Sequence, residues 1–253
     1  MKMLLDKIEF KNENLDNWKN NTEYWLNNPL RQVEDTKDFF IPKLKELISE
    51  ESSVLDMGCG SGWLLEFIRQ IDLNTKYYGI DFNEKFIEAL RIKNSNDINA
   101  SFDTVDFENE LSSEYFEKFD IVFNCFNFFE TANLDVAFAN AVKMLKPNGK
   151  LVIFTIEYTF LILALSHNME EFKKYLKIYD EAKNKGVVPY FFQNIDLGNA
   201  ESETLKYASV LYSFDDYYKQ ATKHSLSLAD YGEVVKTAKF LPKTYQYFVF
   251  KKN

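Results

Sequence analysis

Apolar residues in this chain come in short runs that end in an acid or a glycine turn, and these runs alternate with stretches of helical period. Val54 and Leu55 lead into Asp56, and Gly58-Cys59-Gly60-Ser61-Gly62 follows. Trp63 to Ile68 then carries apolar residues at helical spacing, so this stretch predicts strand, turn and helix in succession. Lys76 to Asp81 reads as a second strand ending in an acid, one helix further on. Ala100 to Phe107 and Phe119 to Asn124 hold two more. Ala137 to Leu145 is helical, Lys146 to Lys150 a turn, and Leu151 to Thr155 a fifth strand. Ser213 caps a helix start, and Tyr231 to Thr237 and Thr244 to Lys251 are the last two strands.

The periphery is patterned differently. Residues 1–50 are polar and aromatic, with Trp18, Tyr24, Trp25, Phe39 and Phe40 among Asn and Lys. Pro42 is expected to begin a helix through Leu44 and Ile48. Residues 158–205 are expected to hold two helices and a loop, at 166–185 and around Pro189 to Phe192. No stretch reads as a linker, repeat or low-complexity tract. The expected organisation is a single domain over 1–253: an N-terminal cap (1–50), a cofactor-binding half (51–157), a lid insertion (158–205) and a C-terminal completion of the sheet (206–253).

The glycine turn carries the chemistry. Glycine lacks Cβ, so the turn can take unusual dihedrals and let a ligand approach the backbone. A helix N-terminus just behind it offers N–H groups to that ligand. A dinucleotide fingerprint spaces its glycines G-x-G-x-x-G. Here the spacing is G-x-G-x-G, Trp63 stands where the third glycine would be, and Asp56 would repel a pyrophosphate. Asp56 suits a cationic ligand group instead. A carboxylate at the tip of the second strand, Asp81, can accept both hydroxyls of a ribose, and Phe82 can lie against a base.

The order Leu-Asp-Met-Gly-Cys-Gly-Ser-Gly resembles the first motif of class I S-adenosylmethionine-dependent methyltransferases, and the helix, Leu-Lys-Pro-Asn-Gly-Lys-Leu turn and strand near residue 150 resemble that family's fifth-strand region. The resemblance covers roughly residues 50–157. It implies an α/β, Rossmann-like seven-stranded sheet of order 3-2-1-4-5-7-6 with one antiparallel strand, flanked by helices, and a helical lid from the N-terminus and the post-strand-5 insertion. It implies S-adenosylmethionine as cofactor, with S-adenosylhomocysteine as product. Asp56, Gly58, Cys59 and Gly60 would pass its amino-acid end, Asp81 would take the ribose, and Asp106 with Phe107 would take the adenine. Asn124 would sit at the matching strand-four position.

Composition narrows the partners. The 253 residues are 46% hydrophobic and 27% charged, with a net charge of −9. That balance opposes binding to a nucleic-acid backbone. Met1 to Lys7 is too poor in apolar residues for a signal peptide. The run from Ile153 to Leu165 contains Glu157 and is too short to span a bilayer. Cys59 and Cys125 show no metal-ligand spacing and suit a reducing cytoplasm. The expected partner is a small-molecule substrate, with neither nucleic acid, membrane nor metal, and the chain as monomer or homodimer.

Methyl transfer asks the protein mainly to align donor and acceptor and exclude water, with a base where the acceptor must lose a proton. In the small-amine branch of the family a His commonly lies six residues after the Asn124 position and pairs with an N-terminal Tyr. Glu130 stands there in this chain, and Tyr24 is the N-terminal counterpart; both are expected at the catalytic centre. Clusters at Phe126–Phe129, Tyr190–Phe192 and Tyr217–Tyr218 suggest an aromatic cage for cations. His167 and His224 are alternative bases. Lys173, Lys174, Tyr190 and Lys219 are candidates for holding an anion on the acceptor. The reading is methylation of a small metabolite: a small amine, with a phosphorylated, phosphoethanolamine-like one included. The alternatives are O-methylation of a sugar or other hydroxyl, a non-catalytic S-adenosylmethionine-binding partner, and an NAD-dependent oxidoreductase, which Asp56 and Trp63 disfavour.

Overall fold

The computed structural model describes residues 2–4, 7–30, 36–157, 162, 166, 168–185, 190–196, 204–237 and 242–253. Short apolar runs, buried on both faces, build the centre of its main sheet. Strands β2 (Ser53–Met57), β3 (Lys76–Asp81), β4 (Ala100–Thr104), β5 (Phe119–Cys125), β6 (Leu145–Ile156), β9 (Leu226–Thr237) and β10 (Pro242–Lys252) lie in the order β4-β3-β2-β5-β6-β10-β9. Counted along the chain within this sheet, that is 3-2-1-4-5-7-6. Strands β2 to β6 pair in parallel, and β10 runs antiparallel to both β6 and β9.

Successive residues go to opposite faces. Val54, Ile121, Phe123, Val152, Phe154 and Val249 join one core, while Leu55, Val122, Leu151, Ile153, Phe248 and Phe250 join the other. Helices α3 (Lys37–Leu47), α4 (Trp63–Ile71) and α5 (Glu84–Lys93) cover the first face through Phe40, Leu44, Leu64, Ile68, Ile87 and Leu90. Helices α6 (Leu134–Met144) and α8 (Phe214–Lys223) cover the second through Ala137, Phe138, Tyr217 and Ala221. Ser213 caps α8 in a reciprocal box with Asp216.

Three local expectations need correction. Pro42 lies inside α3 rather than at its start; the helix begins at Lys37, and the apolar face of Phe40, Leu44 and Leu47 holds it against the core despite the missing N–H. The Lys146–Lys150 turn is a bulge within β6, where the register with β5 jumps from Leu145 to Lys150 and Asn148 takes a φ of 63°. The expected second helix around residues 189–192 is strand β7 (Tyr190–Asp196). It lies between β1 (Lys2–Leu4) and β8 (Thr204–Val210) in a separate antiparallel sheet, so the N-terminus pairs directly with the insertion. The helix expected over 166–185 is α7 (Met169–Asn184), capped by Asn168. Helices α1 (Lys7–Asn20) and α2 (Thr22–Asn27) complete the N-terminal segment. Among the described residues, no helix is long and apolar enough to cross a membrane.

Candidate functional site

The carboxyl ends of β2, β3 and β5 open onto a cleft that α1 and α2 cover. Its floor is the glycine turn. Gly58, Gly60 and Gly62 all adopt left-handed φ, +82°, +47° and +80°. A Cβ on Gly58 would lie 2.6 Å from the Asn127 side chain, and one on Gly62 would lie 2.5 Å from Leu90. A Cβ on Gly60 would meet nothing within 4 Å. The turn is therefore packed at its two ends and open in the middle, which is where a ligand can approach the backbone.

The turn's amides are already used. Gly58 and Cys59 donate to the Ile80 carbonyl at 2.8 and 2.9 Å, Gly62 donates to Cys59, and Gly60 donates to Asp81 Oδ2 at 3.0 Å. The expected row of N–H groups waiting for an anion is absent from these four residues, which fits a ligand that does not bring a pyrophosphate there. Asp81 also accepts from the Asn83 amide at 2.9 Å. Burial pushes its carboxyl up to about 6, against the pull of these two bonds. Two N–H partners leave the carboxylate further lone pairs for hydroxyl donors.

Around the floor stand most of the residues singled out from the sequence. Gly58, Cys59, Gly60, Asp81, Phe82, Asp106, Phe107 and Glu130 all line the cleft. Asp106 pairs with Lys11 of α1 at 2.9 Å. Glu130, at the end of a single 3-10 turn over Phe128–Glu130, is buried; its Oε2 accepts from Trp18 Nε1 at 2.6 Å and its carbonyl accepts from Asn14 at 2.9 Å.

Other expected residues lie elsewhere. Asp56 does not line the cleft: it is buried beneath the turn, Tyr77 donates to its Oδ2 at 2.6 Å, and burial pushes its carboxyl up to about 7. Asn124 is buried beside the turn, donating to the Met57 carbonyl and accepting from the Phe128 amide, and is likewise no part of the lining. Tyr24 packs edge-on against Trp25 outside the lining, and Trp18, not Tyr24, reaches Glu130 from the N-terminal segment. Of the clusters expected to cage a cation, Phe126, Phe128, Phe129 and Tyr217 are buried in the core, Tyr218 is exposed, and the side chains of Tyr190 to Phe192 lie outside the described residues. His224 stacks on Phe138 at the end of α8, away from the cleft, where burial lowers its pKa. Lys219 pairs with Asp215, Lys173 and Lys174 lie on exposed positions of α7, and none of the three lines the cleft. His167 and the side chain of Tyr190 lie outside the described residues.

Sequence reasoning missed Asn127, whose amide donates to the carbonyls of Met57, Gly58 and Cys125 at 3.2, 3.0 and 2.9 Å and so staples the turn to the end of β5. It also missed Trp18, Trp25 and Phe86, although the tryptophans and their aromatic setting were visible.

A model of the methyltransferase domain matches residues 48–220, and the chain belongs to that family. Its fold is that of the class I S-adenosylmethionine-dependent methyltransferases, whose methyl donor is S-adenosylmethionine. The ubiquinone biosynthesis O-methyltransferase of Bartonella bacilliformis is 29% identical over 136 residues, 49% of this chain and 54% of that protein. The chain thus spans about half the length of the curated relatives it matches. A SAM-dependent methyltransferase structure from Methanosarcina mazei aligns over 83% of this chain and 97% of its own, with a TM-score of 0.60 and 15% identity. One from Clostridium acetobutylicum aligns over 87% and 92%, with a TM-score of 0.58 and 17% identity.

Proposed function

We propose that the cleft binds S-adenosylmethionine and that the enzyme methylates a small amine, with Glu130 receiving the amine's proton. The observation that carries this reading is the placement of Glu130: a buried carboxylate that lines the same cleft as the glycine turn and is held by Trp18. Asp81 accepts the ribose hydroxyls, Asp106 the adenine amino group, and Phe82 and Phe107 flank the ring. Gly58, Cys59 and Gly60 pass the amino-acid end. Asp56 acts only through the turn above it.

When bound, S-adenosylmethionine supplies an electrophilic methyl group, and the sulfur keeps the electron pair of the broken bond. The protein's part is to align the acceptor, exclude water and move one proton. The covering helices α1 and α2 exclude water. Glu130 takes the ammonium proton, which frees the nitrogen lone pair to form the new bond, and later releases that proton to solvent.

A second reading has its own support. The Bartonella relative is named for an O-methylation, and Glu130 can equally take the proton of a hydroxyl. The test is S-adenosylhomocysteine release over a panel of small amines, phosphoamines, phenols and sugars, for the parent and Glu130→Gln. Turnover with an amine, lowered ~10²–10⁴-fold in the variant with cofactor affinity kept, supports the first reading. Turnover only with hydroxyls moves the acceptor to the second, and no turnover with any acceptor would point to a binding protein.

A further inference from the structure

This inference rests on the small-amine reading and narrows its acceptor. The cleft lining gathers all three tryptophans of the chain, Trp18, Trp25 and Trp63, together with Phe86. Trp18 is the hub of the N-terminal side. Its ring lies 5.5 Å from Trp25 and 6.4 Å from Phe86, and its Nε1 donates to Glu130 Oε2 at 2.6 Å. Its carbonyl and the neighbouring Thr22 hydroxyl are held by Asn83 Nδ2, at 3.3 and 2.7 Å, so the helix end is tied to the start of α5. The Trp18 ring is thus held at its N–H and at its backbone.

Electron-rich ring faces beside a carboxylate attract a cation and offer nothing to an anion. The charged lining agrees. Beside Asp81 and Asp106, which the cofactor takes, it holds Glu108 and Glu130, and among the described residues it includes no Lys, Arg or His. The nearby cation, Lys11, is matched at 2.9 Å by Asp106 and reaches Asn109 as well. The lysines expected to hold an acceptor phosphate lie outside the cleft.

We propose that the acceptor is an unphosphorylated alkylammonium and that Trp18 sets this specificity, with its ring face towards the cation and its N–H holding Glu130. Indole alone among side chains combines a large π face with an N–H donor that does not titrate. Phenylalanine keeps the face and loses the donor; leucine loses both.

The test is calorimetry on the full chain saturated with S-adenosylhomocysteine, using three probes: choline, its phosphate ester phosphocholine and its neutral isostere 3,3-dimethyl-1-butanol. Choline should bind at least about tenfold tighter than either of the others, the range a desolvated cation–π contact supplies. Trp18→Leu should weaken choline about 5- to 30-fold and the isostere less than about twofold. Trp18→Phe should keep most of the preference for choline, with thermal melts confirming that both variants fold. Phosphocholine binding as tightly as choline, or equal losses for choline and its isostere, would overturn the acceptor assignment alone. A fall in S-adenosylmethionine affinity relative to S-adenosylhomocysteine in Trp18→Leu would give the rings to the sulfonium and also overturn it. Failure of the parent to bind S-adenosylhomocysteine would instead remove the functional reading beneath it.

Discussion

The amide of Gly60 donates to Asp81 Oδ2 across 3.0 Å, so the open middle of the glycine turn and the tip of β3 share one carboxylate. That carboxylate is both a structural acceptor and a side chain of the cleft wall. The two roles meet because β2 and β3 are adjacent and parallel, with Met57 opposite Ile80.

The glycines should separate by substitution. Gly60→Ala places a methyl in open space and retains a left-handed φ, so the fold should lose only about 1–2 kcal/mol. Ligand approach should suffer more, with S-adenosylmethionine affinity down over tenfold. Gly58→Ala drives its methyl into Asn127, which three hydrogen bonds hold in place. It should be the less stable of the two by chemical denaturation. Equal stability of the two variants would contradict this account of the turn.

Asn127 should be intolerant of its own isostere. Alanine leaves three carbonyls short of a donor, at about 1–3 kcal/mol. Aspartate keeps the shape but turns a charged acceptor towards the same three carbonyls. Asn127→Asp should therefore unfold at lower urea than Asn127→Ala at pH 8, and the reverse order would show that the amide is not the donor that matters.

Asp56 should make stability fall with pH. Burial raises its carboxyl from 3.8 to about 7, partly offset by the Tyr77 hydroxyl. Between those values the folded chain holds a proton that the unfolded chain has lost. Stability from this group is thus present at low pH, declines as pH rises through about 4 to 7, and is flat above. The total is on the order of 4 kcal/mol. Asp56→Asn should remove this component, gaining stability over the parent at pH 8 and least at pH 4. Asp81, raised to about 6 by burial, leaves a residual slope of the same sign. Urea titrations of both proteins across this range check it; parallel pH curves would refute it.

The central strands were legible because both faces of the sheet are buried there, so β2, β5 and β6 carry continuous apolar runs, whereas the edge strand β4 fully buries only Phe102. The glycine turn was legible because no other residue type tolerates three left-handed positions in five. The burial of Asp56 was present in the pattern: it shares the parity of Val54 and so turns towards the core that holds Tyr77. Asn124 shares the parity of Val122 and turns to the opposite side. The bond between Trp18 and Glu130 was not legible. It joins positions far apart in sequence, and its geometry depends on how α1 crosses the ends of the strands. Strand β7 was missed because one of its two partners, β1, lies at the far end of the chain, and an aromatic run alone does not distinguish strand from helix.

The central claim is that this cleft holds S-adenosylmethionine. Titration calorimetry of the parent and Asp81→Ala with S-adenosylmethionine, S-adenosylhomocysteine and NAD tests it most directly. The account predicts that the parent binds the first two and not NAD. It also predicts that Asp81→Ala weakens both by the loss of two hydroxyl contacts, each worth about 0.5–1.5 kcal/mol and more where the carboxylate is charged. Tight NAD binding with no S-adenosylmethionine binding, or an Asp81→Ala variant that binds as well as the parent, would contradict it.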